Sequence, residues 1–234
     1  MAPRGESALS LATVQAMPGP LNPTRKKHRF GKAWMHEHVT DPYVREAQRR
    51  GFRSRAAFKL IELDQKDRLL RPGMTVVDLG AAPGSWCQVL RERLGPQGRI
   101  VAVDMLPMAG IPGVAIVQAD LQTDEGIAAV HESLDGRKAD LVLSDMAPNL
   151  SGIDSVDQAR SVQLAELAFE LACGVLQPAG DFVVKAFQGT GLPEFKRMVE
   201  RQFNKVHVRK PKASRDRSRE TFLVAKALRR APTG

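Results

Sequence analysis

Between Met74 and Trp86 the chain reads MTVVDLGAAPGSW. Thr75, Val76, Val77 and Leu79 form a β-compatible run around Asp78, which breaks at once into Gly80, Ala81, Ala82, Pro83 and Gly84. No bulky side chain stands beside the backbone there, so a ligand can approach the main chain closely. Trp86, Val89, Leu90 and Leu94 then recur at helical spacing. A strand feeding a helix through such a turn is where α/β sheets bind nucleotide-like ligands. A tight connection holding no ligand is the plain alternative, and the rest of the chain weighs against it.

Strand and helix signals alternate after this unit. Strands are expected near 75–79, 99–105, 114–120, 139–148 and 180–187, with helices over 85–94, 123–134, 157–176 and 192–203. Near-continuous Val, Ile and Leu runs between helices mean a parallel sheet covered on both faces. KVHVRKP at 205–211 and TFLVAKAL at 221–228 have no long helix between them, so they read as an antiparallel hairpin at the sheet edge. Ahead of the sheet, Asp41 caps a helix that carries Pro42 at its first position and ends at Gly51. Ser54 is expected to cap a second helix that holds Lys59, with Ala57, Phe58, Ile61 and Leu69 as its apolar stripe.

With 234 residues, 43% of them hydrophobic, the chain can bury one core without disulfides or metal. Cys87 and Cys173 lie far apart in apolar helical patterns and are expected as reduced core thiols. No apolar run approaches the ~18 residues a bilayer span needs, and no secretory leader opens the chain, so a soluble, cytoplasmic protein is expected. Charge is segregated. Residues 1–57 hold 11 Lys and Arg against 4 Asp and Glu, residues 196–234 hold 13 against 3, and the segment between holds 11 against 19. Two basic flanks around an acidic middle suggest convergence on a polyanion, nucleic acid first.

Residues 1–27 are expected as a disordered tail, since 1–24 are rich in Ala, Pro, Ser and Gly without periodicity. Its thin Arg content argues against a mitochondrial presequence. One domain is expected over 28–230, with a basic arm at 28–57 and a basic hairpin at 205–228. Phe30 and Trp34 in the arm serve base stacking or anchor the arm to the domain; both readings stand. His36 and His38 lack a third ligand nearby and read as solvated rather than metal-binding.

In such a sheet, ligands bind outside the carboxyl ends of the strands. Asp104, Asp120 and Asp145 each close one strand. Asp104 lies 20 residues beyond Gly84, the spacing at which a carboxylate grips ribose hydroxyls. Asp120 is placed to accept from an adenine amino group. Three such acids beside a Gly turn point to an adenosine ligand. GAAPGSW lacks the G-x-G-x-x-G of dinucleotide folds, Pro83 removes one amide, and no Lys or Arg in the turn balances phosphate. An adenosine sulfonium with an amino-acid tail, S-adenosylmethionine, suits it better.

SRAAFKL, VVDLGAAPGSW, SDMAPN, FVVKAFQG and RKPKASRDRSRE together resemble the FtsJ-type RNA ribose 2′-O-methyltransferases, over about residues 28–228 in consistent order. The resemblance implies a Rossmann-like class I methyltransferase: a mostly parallel seven-stranded sheet, helices on both faces and an antiparallel last strand. It implies a Lys-Asp-Lys-Glu tetrad at Lys59, Asp145, Lys185 and Glu220, and cofactor positions at Gly84, Trp86, Asp104, Asp120 and Asp145. It also implies S-adenosylmethionine as methyl donor, no metal, and a monomer acting on a ribose, expected to be that of a uridine, of large-subunit ribosomal RNA during ribosome assembly. Lys185 would then be the base, since Lys59 and the sulfonium disfavour a proton on it while Asp145 and Glu220 orient it. The competing readings are a methyltransferase of transfer RNA or an mRNA cap, and a non-catalytic ribosome-assembly protein.

Overall fold

The computed structural model describes residues 41–149, 151–215 and 217–230. The expected tail at 1–27, and Phe30, Trp34, His36 and His38, lie outside the described residues. β1 (Thr75–Leu79) lies inside a seven-stranded sheet, between β2 (Arg99–Asp104) and β4 (Ala139–Ser144), and is parallel to both. β3 (Val114–Gln118) lies outside β2, and β5 (Leu176–Phe187) pairs with β4, again in parallel. β7 (Glu220–Leu228) runs antiparallel to β5, and β6 (Phe203–Arg209) closes the edge antiparallel to β7. The order is β3-β2-β1-β4-β5-β7-β6.

Strand periodicity decides which helix covers which face. Val77, Leu79, Val142, Phe182 and Val184 point to one side, where α4 (Asp124–Leu134), α5 (Asp154–Val175) and α6 (Leu192–Gln202) pack. Phe169 of α5 lies 6.1 Å, centroid to centroid, from both Phe182 and Phe195, an aromatic nucleus under the right half of the sheet. Val76, Ile100, Leu141 and Val183 point to the other side, against α2 (Ala57–Asp67) and α3 (Ser85–Leu94). α1 (Pro42–Arg49) rests on α2 through Ala47 and Phe58, with Ala213 of the segment after β6 in the same cluster. Removing the fully buried Phe182 ring would cost about 3–5 kcal/mol.

Asp41 caps α1 as expected, its carboxylate accepting from Tyr43 N at 2.9 Å. Several expectations need correction. Ser54 does not cap α2: its hydroxyl accepts from Ala56 N at 3.2 Å in a turn ahead of the helix, and the N-cap is Ala56. Leu69, though buried, lies past the end of α2, because Arg68 turns left-handed (φ 50°) and Asp64 Oδ1 takes the Leu69 and Leu70 amides instead. Cys173 is only half-buried, whereas Cys87 is fully buried. β5 also begins earlier than the apolar run alone suggests, because Leu176 leaves α5 directly into extended backbone and pairs with Ala139. Among the described residues, no helix is long and apolar enough to cross a membrane.

Candidate active site

The strand order reverses between β1 and β4, and although their carboxyl ends stay hydrogen-bonded, Asp145 N to the Leu79 carbonyl at 3.1 Å, the connections that follow leave a crevice above them. Gly80 sits at its floor with φ +74°, and a Cβ there would meet the Met146 backbone at 3.0 Å. The turn that follows is pinned from outside. Arg53 donates to the carbonyls of Pro83 at 2.9 Å, Ala109 at 2.8 Å and Gly110 at 2.8 Å, tying the turn to the loop after β2. Gly84 (φ +104°) leaves the space this guanidinium needs, since a Cβ would come within 2.7 Å of Arg53 Nη1.

The crevice opens into a pocket of about 330 Å³. Val103, Leu106, Ala119, Met146 and Leu167 make its apolar walls, while Asp104, Asp120 and Asp145 bring three carboxylates to it. Asp104 is aimed by its own backbone surroundings: Oδ2 accepts from Ala82 N at 2.9 Å and Oδ1 from Leu106 N at 2.8 Å. Asp120 Oδ1 accepts from Gln122 N at 2.9 Å. Gly84 and Trp86 do not line this pocket. The Trp86 ring is buried, donates from Nε1 to the Ala56 carbonyl at 2.8 Å, and packs 6.0 Å from Phe222, centroid to centroid.

Beside the pocket, four charged side chains from four elements form one alternating chain. Glu220 opens β7, and its Oε1 lies 2.8 Å from Lys59 Nζ of α2. Lys59 Nζ lies 3.8 Å from Asp145 Oδ1, which in turn lies 3.1 Å from Lys185 Nζ. Lys185 also donates to the Asp145 carbonyl at 2.5 Å. Register explains the convergence, because β5 and β7 pair Lys185 with Phe222 and Phe187 with Glu220 at the same end of the sheet. All four residues expected from the sequence therefore meet, next to Asp104 and Asp120.

Residues 52–228 match the family profile of FtsJ-like methyltransferases. The chain belongs to that family. The methyltransferase is 56% identical over 205 residues to the ribosomal RNA large subunit methyltransferase E of Alkalilimnicola ehrlichii, covering 87% of this chain and 98% of that one. It is 50% identical over 203 residues to the protein of the same name from Pseudomonas aeruginosa, again over 87% and 98%. Among solved structures, a ribosomal RNA methyltransferase of Plasmodium falciparum superposes with TM-score 0.70 at 33% identity, over 76% of this chain and 98% of that one.

Sequence reasoning passed over several residues that build the methyltransferase site. Ser214, buried in the loop between β6 and β7, donates to Glu220 Oε1 at 2.6 Å. Burial alone would raise the Glu220 carboxyl, but the Lys59 ammonium, the Ser214 hydroxyl and Lys185 together hold it below its ordinary value. The loop is fastened to α2 by Glu62, which accepts from the amides of Lys212 at 2.6 Å and Ala213 at 2.9 Å. Arg55 adds a fork, one arm on Asp41 and one on the Ala213 carbonyl. Asp78, fully buried at the end of β1, accepts from the Cys87 thiol at 3.1 Å, while its Oδ1 has no partner.

Proposed function

We propose that this protein transfers the methyl group of S-adenosylmethionine to a ribose 2′-hydroxyl, that of a uridine, in large-subunit ribosomal RNA. The observation that carries the reading is the Glu220–Lys59–Asp145–Lys185 chain standing beside the carboxylate-lined pocket. The names of the relatives support RNA of the large subunit as the substrate.

The pocket's donor set fits this cofactor. Its charged lining is three carboxylates and no Lys or Arg, which would repel a pyrophosphate and attract a cationic nucleoside. Asp104, held by two amides, would take the ribose hydroxyls, Asp120 the adenine amino group, and Asp145 would face the positive end. Gly84 and Trp86 would act from behind the pocket, by shaping the turn and packing the start of α3 rather than by touching the cofactor. When bound, the cofactor supplies an electrophilic methyl on a sulfonium sulfur.

The protein's own groups then have two tasks. A ribose hydroxyl is a weak nucleophile, so it must be held in line and relieved of its proton as it attacks. Lys185 Nζ, which must enter the step as the neutral amine, takes that proton on its lone pair, its position fixed by the Asp145 carbonyl beside the Asp145 carboxylate. Lys59 places a second positive charge next to the same carboxylate and is itself held by Glu220. The transferred methyl forms a C–O bond as its C–S bond breaks, and the proton leaves through Lys185.

The test is direct. Purified protein, methyl-labelled S-adenosylmethionine and large subunits from a strain lacking the enzyme should yield labelled 2′-O-methyluridine after nuclease digestion. Label on a base, or in transfer RNA rather than ribosomal RNA, would replace this reading.

A further inference from the structure

A trough runs along the outer edge of the sheet, between the C-terminal half of α2 and the edge strand β6. It consists of two concavities, of about 400 and 600 Å³, which share Lys66 and Arg209 in their walls. The upper one reaches Lys212, two residues from the Ser214 that holds Glu220. The lower one reaches Lys205 and Lys226, at the far end of the sheet. β6 spans seven residues, so the track is about 20 Å long.

Its charges are unusual in what opposes them. Lys66, Arg68, Lys205 and Lys212 are exposed, and among the described residues their charged groups meet no hydrogen-bond or ion-pair partner. Among the described residues, two acids line the trough. Glu62 spends its oxygens on the Lys212 and Ala213 amides, and Asp67 spends both of its own on Arg209, at 2.6 to 3.2 Å. Asp67 is balanced by Arg209, and the Glu62 carboxylate is turned onto the loop amides, so the trough keeps a net excess of positive charge. A helix C-terminus attracts cations in its last turn, which would account for Lys66 but not for Lys205 on the strand opposite.

We propose that this trough is a second track for the backbone of the RNA substrate, carrying the chain away from the catalytic pocket toward the edge of the sheet. It rests on the reading above, which makes RNA the substrate, because the trough opens where the β6–β7 loop meets the site. Exposed, unpaired cations along a fixed groove bind phosphates by counterion release and do not read sequence. The track therefore lends affinity and orientation, and leaves the choice of nucleotide to the pocket.

The experiment compares three full-length proteins: wild type, Lys66→Glu/Arg68→Glu/Lys205→Glu, and a control with the same charge change placed elsewhere, Arg93→Glu/Arg137→Glu/Arg197→Glu. Binding of a fluorescent large-subunit RNA fragment is followed by anisotropy between about 50 and 200 mM salt, without methyl transfer. The trough variant should lose tenfold or more in affinity, with a log–log salt slope shallower by about two to three, whereas the control should stay near wild type. Both should keep the wild-type affinity for S-adenosylmethionine. If the glutamate variant fails that integrity check, the Gln versions of the same three positions are read in its place. Equal RNA binding by wild type and trough variant, or an equal loss in the control, overturns the proposal. So does capture of anionic phospholipid vesicles, rather than RNA, through these residues. A protein that binds RNA through the trough yet methylates none would leave the trough standing and overturn the proposed function instead.

Discussion

Lys185 Nζ reaches both the carbonyl and the carboxylate of Asp145, at 2.5 and 3.1 Å. One accepting carbonyl and one counter-charge on the same residue hold the amine in place, which suits a group that must be positioned against the attacking hydroxyl. Lys185→Ala should therefore lower the single-turnover rate by about a hundred- to ten-thousandfold while leaving cofactor affinity nearly intact. Lys185→Arg decides between two roles. A guanidinium keeps the charge and the steering but does not accept a proton, so retention of most of the rate would assign Lys185 to steering alone.

Asp104 holds two backbone amides and offers its remaining lone pairs to the pocket. Asp104→Ala should weaken S-adenosylmethionine binding by about 2 kcal/mol or more, measured by calorimetry, since it removes a charged acceptor and frees the Ala82 and Leu106 amides. Asp104→Asn, which keeps one carbonyl oxygen, should lose less. Equal affinity in all three proteins would remove Asp104 from the cofactor site.

Ser214→Ala leaves Glu220 with Lys59 as its remaining side-chain donor. A lost hydrogen bond to a buried carboxylate should cost about 1–3 kcal/mol of stability by thermal melting. The Glu220 carboxyl is held low in the folded protein, so its stabilisation is present above its ordinary value of 4.5 and lost as pH falls through the lowered one. Losing Ser214 should move that acid limb to higher pH. An acid limb identical to wild type would show that the hydroxyl contributes nothing to the carboxylate.

Much of this architecture is written in local patterns. The β1–turn–α3 unit, the strand–helix alternation and the edge hairpin follow from periodicity and glycine placement, because each is decided within a dozen residues. The four charged residues were legible only through motif resemblance, since no local rule brings Lys59 to Glu220, 161 positions away. Arg53 and Arg55 read in the sequence as part of a basic arm for a polyanion, yet the fold turns both inward onto carbonyls and Asp41. Ser214 gave no signal, because it sits in a basic loop without periodicity and acquires its role only when β6 returns as β7. Asp78 was hidden inside an apolar run, where its charge looked like a strand detail.

Gly126 is a test of how rigidly Asp120 is held. A Cβ at this position would stand 1.9 Å from the Asp120 carbonyl oxygen and 2.7 Å from its carbonyl carbon, both backbone atoms. Gly126→Ala must therefore displace either the start of α4 or the Asp120 segment, at a cost of about 1–3 kcal/mol or more. Because Asp120 lines the pocket, cofactor affinity should fall with stability. Gly174→Ala, in α5 with open space around it, should instead gain about 0.5–1 kcal/mol. Gly126→Ala with unchanged melting and unchanged affinity would mean that Asp120 moves freely.

Asp78 sets the pH dependence of stability near neutrality. Burial pushes its carboxyl from 3.8 up to about 7; the Cys87 thiol pulls it down, and Asp145 and Asp104 push it further up. Between pH 3.8 and about 7 the folded protein holds a proton that the unfolded chain has released, so stability falls as pH rises through that window and levels off above it. At 1.36 kcal/mol per unit, the whole window is worth about 4 kcal/mol at most. Asp78→Asn cannot titrate. Measured by guanidinium unfolding, the stability difference between Asn and wild type should move in favour of Asn by about 2–3 kcal/mol between pH 5 and pH 8, whatever the fixed cost of the amide. Glu220 does not disturb this comparison, because its own limb lies below pH 4.5. Parallel stability curves for the two proteins over that range would mean that Asp78 is ionised in the fold at pH 5, with a partner for Oδ1 that keeps it so.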